Sequence, residues 1–233
     1  MIPLRPDEAS LASYRANIRA VWESATRAQR VAGEQWYPAA HDLAADLGAG
    51  DVRMGAGLLA ALSANKRWPD TVKLALDASD GHVHGHIGAN LAKVHAILAG
   101  ADPARVLPMG SKTGQFYLNI LDPSDPFPVT VDRHAHDIAA GRVFGEGERG
   151  LSTAARYAVI ARQYRQVAAE YGVPACRVQA RTWVVQVDKL AGTGTRGWPS
   201  GSLAAFPVNK GRKGEGEARV HAQRHLSGRH RPY

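Results

Sequence analysis

Between residues 153 and 172 the chain has one structural option. Tyr157, Ile160, Tyr164, Val167 and Tyr171 follow one another at steps of three and four, behind Ser152 or Thr153 as a cap and ahead of Gly172. Such spacing puts apolar side chains on one face of an α-helix and scatters them over both faces of a strand. The same period returns along the sequence. It marks Leu11, Tyr14, Ile18, Val21 and Ala25 after Asp7, then Trp36, Ala40, Leu43 and Leu47 before Gly48, then Met54, Leu58, Leu59 and Leu62 behind Asp51. Pro69 fits the first turn of a short helix through Ala78, and Leu91, Val94 and Leu98 predict another that stops at Gly100. Asp102-Pro103 opens a short turn of helix, and helices are predicted from Lys112 to Leu121 and from Arg133 to Ala140, the second ended by Gly141. Pro174 starts a last one carrying Val178, Thr182 and Val185, with Trp183 near the same face. Pro123, Pro126 and Pro128 exclude helix between residues 122 and 128. The chain is therefore predicted to be all-α, with about ten helices.

Charge divides the 233 residues unevenly. The formal charge is +8, but eight basic residues and two acids lie from Gly192 onward, which leaves +6 there and +2 on the rest. A helical body over residues 1–191 and a basic Gly/Arg/His-rich tail over 192–233 follow, with a polyanion as the favoured partner. The near-neutral body needs a local basic face to bind one. Cys176 is the single cysteine, which excludes an internal disulfide and any four-cysteine zinc or iron–sulfur site. No apolar run approaches a membrane span, and the first residues lack the basic-then-apolar layout of a signal peptide. The sequence predicts a cytoplasmic monomer with no membrane association.

The chemistry concentrates in Leu107-Pro108-Met109-Gly110-Ser111-Lys112-Thr113 and in Val129-Thr130-Val131-Asp132-Arg133-His134. The first is a tight turn opening a helix with a lysine in its first turn, where free backbone N–H groups attract phosphate. The second delivers one carboxylate to the start of the next helix. A phosphate site close in sequence to a Lys/Asp pair points to work on a nucleic-acid backbone.

With Ala61-Leu62-Ser63-Ala64-Asn65 before them, these blocks resemble, in order, three blocks of the helix-hairpin-helix DNA glycosylase superfamily, which includes endonuclease III and the 8-oxoguanine glycosylases. The likeness covers residues 58–140, with the hairpin and aspartate blocks at about 103–140. It implies a two-lobed helical bundle without cofactor that binds double-stranded DNA and flips out a damaged or modified base for repair. Asp132 matches the catalytic aspartate and Lys112 the hairpin lysine, which as a nucleophile would form a Schiff base and add strand cleavage to hydrolysis of the N-glycosidic bond. Leu107, Met109, Gly110, Ser111 and Thr113 match the DNA-binding hairpin. Asn65 stands at the position of the wedge that fills the gap, a role to which Lys66, Arg67 and Trp68 are also suited, and Arg133 and His134 flank the aspartate on the DNA side. The chain departs from the family in a hairpin one residue short, in Met109 at a usual glycine, in Asn65 for glutamine, in a proline-rich insertion before Val129, and in having no iron–sulfur loop. These departures keep two other functions open: a transferase of the kind assigned to bacteriophages, which tailors hydroxymethyl pyrimidines in DNA, and a DNA-binding protein without catalysis.

Each residue also has a plainer reading. Asp132 serves as N-cap of the helix that follows it, His134 as a packing residue, and Trp68 as core at an ordinary helix end. His82, His84 and His86 alternate like metal ligands, with His41, His95 or His136 to complete a set, or form a solvated loop. The loop reading is preferred, so no metal is expected. Tyr157, Tyr164 and Tyr171 have core spacing.

Overall fold

The computed structural model describes residues 1–145 and 147–192, so the predicted basic tail lies outside the described residues. Among them are ten α-helices and no strand. They are α1 (Glu8–Ser24), α2 (Arg27–Leu47), α3 (Val52–Leu62), α4 (Trp68–Ser79), α5 (Gly88–Leu98), α6 (Pro103–Val106), α7 (Lys112–Leu121), α8 (Arg133–Ala140), α9 (Ala154–Tyr171) and α10 (Ala175–Gly192). None of these is long and apolar enough to cross a membrane.

The helix ends follow the capping chemistry. The carboxylates of Asp7, Asp51 and Asp102 accept from Ser10 N, Met54 N and Ala104 N, each cap contributing about 1 kcal/mol. Gly141 and Gly172 close α8 and α9 in the left-handed conformation. The helix around Trp36 starts earlier than its apolar stripe, at Arg27, because Thr26 and Gln29 form a capping box. Pro38 then sits inside α2 without ending it.

Two apolar cores divide the bundle. The first joins α2, α3, α4, α5 and α7 around Leu58, Leu59, Leu62, Ile97 and Ile120, all fully buried. Burying such a side chain stabilises by roughly 1.5–3 kcal/mol. The second joins α1 to α8 and α9 through Tyr14, Ile18, Trp22, Ile138, Ile160, Tyr164 and Val167. The N-terminal helix thus returns to the C-terminal half of the chain. α10 belongs to both cores, giving Cys176 and Ala180 to the first and Ala175 and Val178 to the second. It approaches α2 closely at Gly33, where an added Cβ would lie 2.5 Å from Arg181 Cα. Arg181 stacks 3.3 Å over the Trp22 ring and pairs with Glu34 at 2.7 Å, tying α1 and α2 to α10.

Candidate functional site

A cleft of about 810 Å³ opens between the two cores. Trp36, Trp68 and Phe116 of the first core line it on one side, and Val131 and Tyr157 of the second core, with the buried Thr130, line it on the other. Lys112 and Asp132 both line this cleft, together with Asn65, Lys66, Arg67, Arg133 and His134.

Asp132 arrives on a rigid strut. Val129, Thr130 and Val131 are buried, and Tyr157 of α9 clamps them by accepting from Val131 N at 2.9 Å and donating to Val129 O at 2.7 Å. Tyr164 adds a bond to Ala135 O at 3.3 Å. Tyr157 and Tyr164 thus have the predicted core positions and also hold the aspartate block, while Tyr171 packs partly buried at the edge of the second core and donates to Glu23. Asp132 caps α8, Oδ1 accepting from Ala135 N at 2.8 Å. Its plainer reading and its position in the cleft therefore coexist, and Oδ2 has no hydrogen-bond partner among the described residues.

Lys112 is the first residue of α7. It is half-buried and makes no ion pair among the described residues, with Asp132 or any other carboxylate. The rest of the hairpin packs differently from the expectation that all of it faces a ligand. Leu107 is buried in the first core, and the half-buried Met109 packs against that core. Gly110 and Ser111 form a turn closed by Ser111 N donating to Pro108 O at 3.0 Å, and Gly110 does not use the left-handed backbone. The Ser111 hydroxyl also donates to Pro108 O and leaves α7 without a side-chain cap, so its first amides are open. Thr113 is half-buried and, like the other four, does not line the cleft. Gln115 joins hairpin and strut, donating to Met109 O at 2.9 Å and accepting from Val129 N at 3.2 Å.

Asn65, Lys66 and Arg67 form an exposed turn after α3, with Asn65 in the left-handed region at φ 56°. Arg67 pairs with Asp70 at 2.8 Å. Trp68 is packed, its ring 5.1 Å from Trp36 and 6.2 Å from Phe116, while still lining the cleft. The histidine loop serves this turn: His86 Nε2 lies 2.9 Å from Ala64 O, and His84 pairs with Asp77 at 3.1 Å. Among the described residues no three metal-ligating side chains converge.

The floor of the cleft was not foreseen from the sequence. Gln179 of α10 lines the cleft although it is only 5% exposed. Its Oε1 accepts from the Tyr37 hydroxyl at 2.8 Å, and that hydroxyl lies 3.0 Å from Thr130 Oγ1. With the oxygen engaged, the amide N–H donors are the end left for the cleft. Trp183, one turn further along α10, stands edge-on to His134 and Trp36. The signal available in the sequence is a glutamine one turn before a tryptophan, in a helix that also carries Arg177, Arg181 and Gln186. The partners that give it meaning are 142 positions away at Tyr37.

Four cations and one carboxylate make up the charged lining: Lys66, Arg67, Lys112 and Arg133 against Asp132. Burial holds the His134 imidazole below its ordinary value, an effect the Asp132 carboxylate opposes. His134 is thus neutral at neutral pH, consistent with Nε2 accepting from Arg133 Nε at 3.2 Å. The cleft combines a basic rim, aromatic walls, an uncapped helix start, a lone carboxylate and an unpaired amine.

No curated protein and no solved structure matches the chain. A family model described as a family of unknown function (DUF7178) matches residues 1–190, and the chain belongs to that family.

Proposed function

We propose that the protein is a DNA glycosylase-like enzyme that draws a nucleotide out of duplex DNA into the cleft between its two cores and acts at the N-glycosidic bond. The observation that carries this reading is that Lys112, the first residue of α7, and Asp132, the cap of α8, line one cleft without pairing to each other. An ion pair would neutralise both; left apart, they have room for a substrate between them. Asp132 would stabilise the positive charge that grows on the sugar as the bond breaks. Lys112 would attack the sugar carbon in a lyase, and water would attack in a simple hydrolase.

The surroundings suit an extruded base. Trp36, Trp68, Phe116, Tyr157 and Trp183 supply aromatic surface, and stacking on such surface contributes about 1–3 kcal/mol per base. Gln179 offers N–H donors to a base carbonyl, and the exposed turn at Asn65 stands where a side chain could fill the gap in the duplex. Lys66, Arg67 and Arg133 supply charge for the flanking phosphates. The protein would work on duplex DNA as a cytoplasmic monomer.

Release of free base from a panel of duplexes, each with one modified base, tests this reading. Wild-type protein is expected to release base from at least one member, with Asp132→Asn at least 100-fold slower. Borohydride is expected to trap a covalent adduct at Lys112 if the lyase branch operates. An Asp132→Asn variant of undiminished rate would overturn the proposal. A heavier pyrimidine nucleoside, appearing in place of free base when the duplex contains a phosphorylated hydroxymethyl pyrimidine and an amine is supplied to displace the phosphate, would replace hydrolysis with group transfer.

A further inference from the structure

Beneath the cleft four polar side chains stand in a row: Asn119 of α7, Thr130 of the strut, Tyr37 of α2 and Gln179 of α10. None is more than 5% exposed, so each is satisfied chiefly by its neighbours in the row. The Tyr37 hydroxyl lies 3.0 Å from Thr130 Oγ1 and 2.8 Å from Gln179 Oε1. It has one proton and cannot donate to both. Two settings resolve the conflict. In the first, Asn119 Nδ2 donates to Thr130 Oγ1 at 2.8 Å, the Thr130 proton turns to the Tyr37 oxygen, and the Tyr37 proton goes to Gln179 Oε1. Gln179 then shows its N–H donors to the cleft. In the second, the Asn119 amide is turned over, donating to Pro128 O at 2.9 Å and accepting from Thr130 N at 3.3 Å and Thr130 Oγ1 at 2.8 Å. The Tyr37 proton goes to Thr130 Oγ1, the Gln179 amide turns an N–H to the Tyr37 oxygen, and Gln179 Oε1 faces the cleft. The settings differ only by rotation of two amides and two hydroxyl protons.

We propose that this row is a reversible relay that lets Gln179 meet either a carbonyl or an amino group on the extruded base, so that the cleft takes keto and amino bases alike. The inference rests on the reading of the cleft as a base-extruding site and extends the carbonyl contact given there. A glutamine fixed in one orientation would reject the wrong group, because a buried donor would face a donor or an acceptor an acceptor. Asn119 and Thr130 are positioning residues in this scheme, acting on the base through Tyr37 and Gln179.

The test is the ratio of affinities of the full chain for two labelled duplexes, read by fluorescence anisotropy. One carries a single uracil and the other a single cytosine, each mismatched with thymine, on a sugar fluorinated beside the anomeric carbon so that cleavage is suppressed. The wild-type ratio is expected to lie within about tenfold of unity. Thr130→Val leaves the Tyr37 proton only Gln179 as acceptor, and should shift the ratio toward uracil by about tenfold or more. Asn119→Asp, which as a carboxylate only accepts, fixes the second setting and should shift it toward cytosine by about the same factor. Tyr37→Phe cuts the relay, and in that background Thr130→Val should leave the ratio unchanged within about twofold. If Asn119→Asp does not fold, Thr130→Val with and without the Tyr37 hydroxyl decides alone. A wild-type preference beyond about tenfold would overturn the reversibility. The relay would be overturned by a Thr130→Val shift that is absent, or that persists in the Tyr37→Phe background, and by shifts of the same sign in Thr130→Val and Asn119→Asp. Failure of the cleft reading is seen separately: neither duplex would then bind better than a fully paired one, and the relay would have no base to select.

Discussion

Asp132 commits one carboxylate oxygen to the helix it caps and leaves the other to the cleft. The two roles separate by substitution. Asparagine caps almost as well as aspartate but carries no charge, so Asp132→Asn should lower stability by less than about 1 kcal/mol in urea unfolding while removing the electrostatic contribution to catalysis. Gln179 gives a parallel case on the recognition side. Gln179→Leu fills similar volume without the N–H donors, and single-turnover rates for the preferred base should fall about 10- to 100-fold, with the fall largest where that base has a carbonyl to lose. His136 is fully buried, its Nδ1 bonded to Asp137 Oδ1 at 3.0 Å and its Nε2 without a partner among the described residues. Burial holds it below its ordinary 6.5, against the pull of Asp137. A depressed folded value means that the unfolded chain binds the proton more readily. Stability is therefore complete above about pH 6.5 and declines as the pH falls through the folded value, His134 adding in the same direction. His136→Asn should be less stable at pH 7.5 and show a flatter loss between pH 6.5 and 5.

At the scale of elements, the cleft depends on how α7 and α8 are pinned. Gly114 of α7 passes so near the preceding turn that a Cβ there would lie 2.2 Å from Met109 Cα and 2.6 Å from Pro108 O. Backbone atoms cannot yield cheaply, so Gly114→Ala should cost about 1–3 kcal/mol or more and move Lys112, reducing activity as well as melting temperature. Tyr157→Phe would leave Val131 N and Val129 O without their shared partner. A loss of about 1–3 kcal/mol is expected by chemical denaturation, with Asp132 less firmly held. α7 and α8 were legible in the sequence to the residue, because proline, glycine and a capping aspartate mark their ends locally. The clamp on the strut was not. Tyr157 read as one more apolar position in a helix stripe, and its hydroxyl finds Val129 and Val131 only once α9 packs against them. In the hairpin, likewise, residue order does not say which side chains turn inward, and Leu107 and Met109 turn to the first core.

Across the whole molecule, the proposed function depends on the gap that the two cores leave. Helical period alone was enough for the all-α class, since each stripe needs only a neighbour to bury it. The partition into two cores depends on pairings between α1 and α9 and between α2 and α10, more than a hundred residues apart, for which period holds no information. The same distance hid Gln179, whose meaning comes from Tyr37 across the gap. Charge was legible as a total and as a gradient toward the C-terminus, while the grouping of Lys66, Arg67, Lys112 and Arg133 around Asp132 exists only in the folded chain. On the proposed function this gap stabilises a cationic sugar by means of Asp132, which can be tested without knowing the base. A duplex with a single pyrrolidine nucleotide, cationic where the sugar would be, mimics the transition state; the same duplex with a neutral tetrahydrofuran nucleotide does not. Wild-type protein should bind the pyrrolidine duplex about 100-fold or more tightly than the neutral one, and Asp132→Asn should lose most of that preference. Equal affinity for the two duplexes, or a preference that survives in Asp132→Asn, would contradict it.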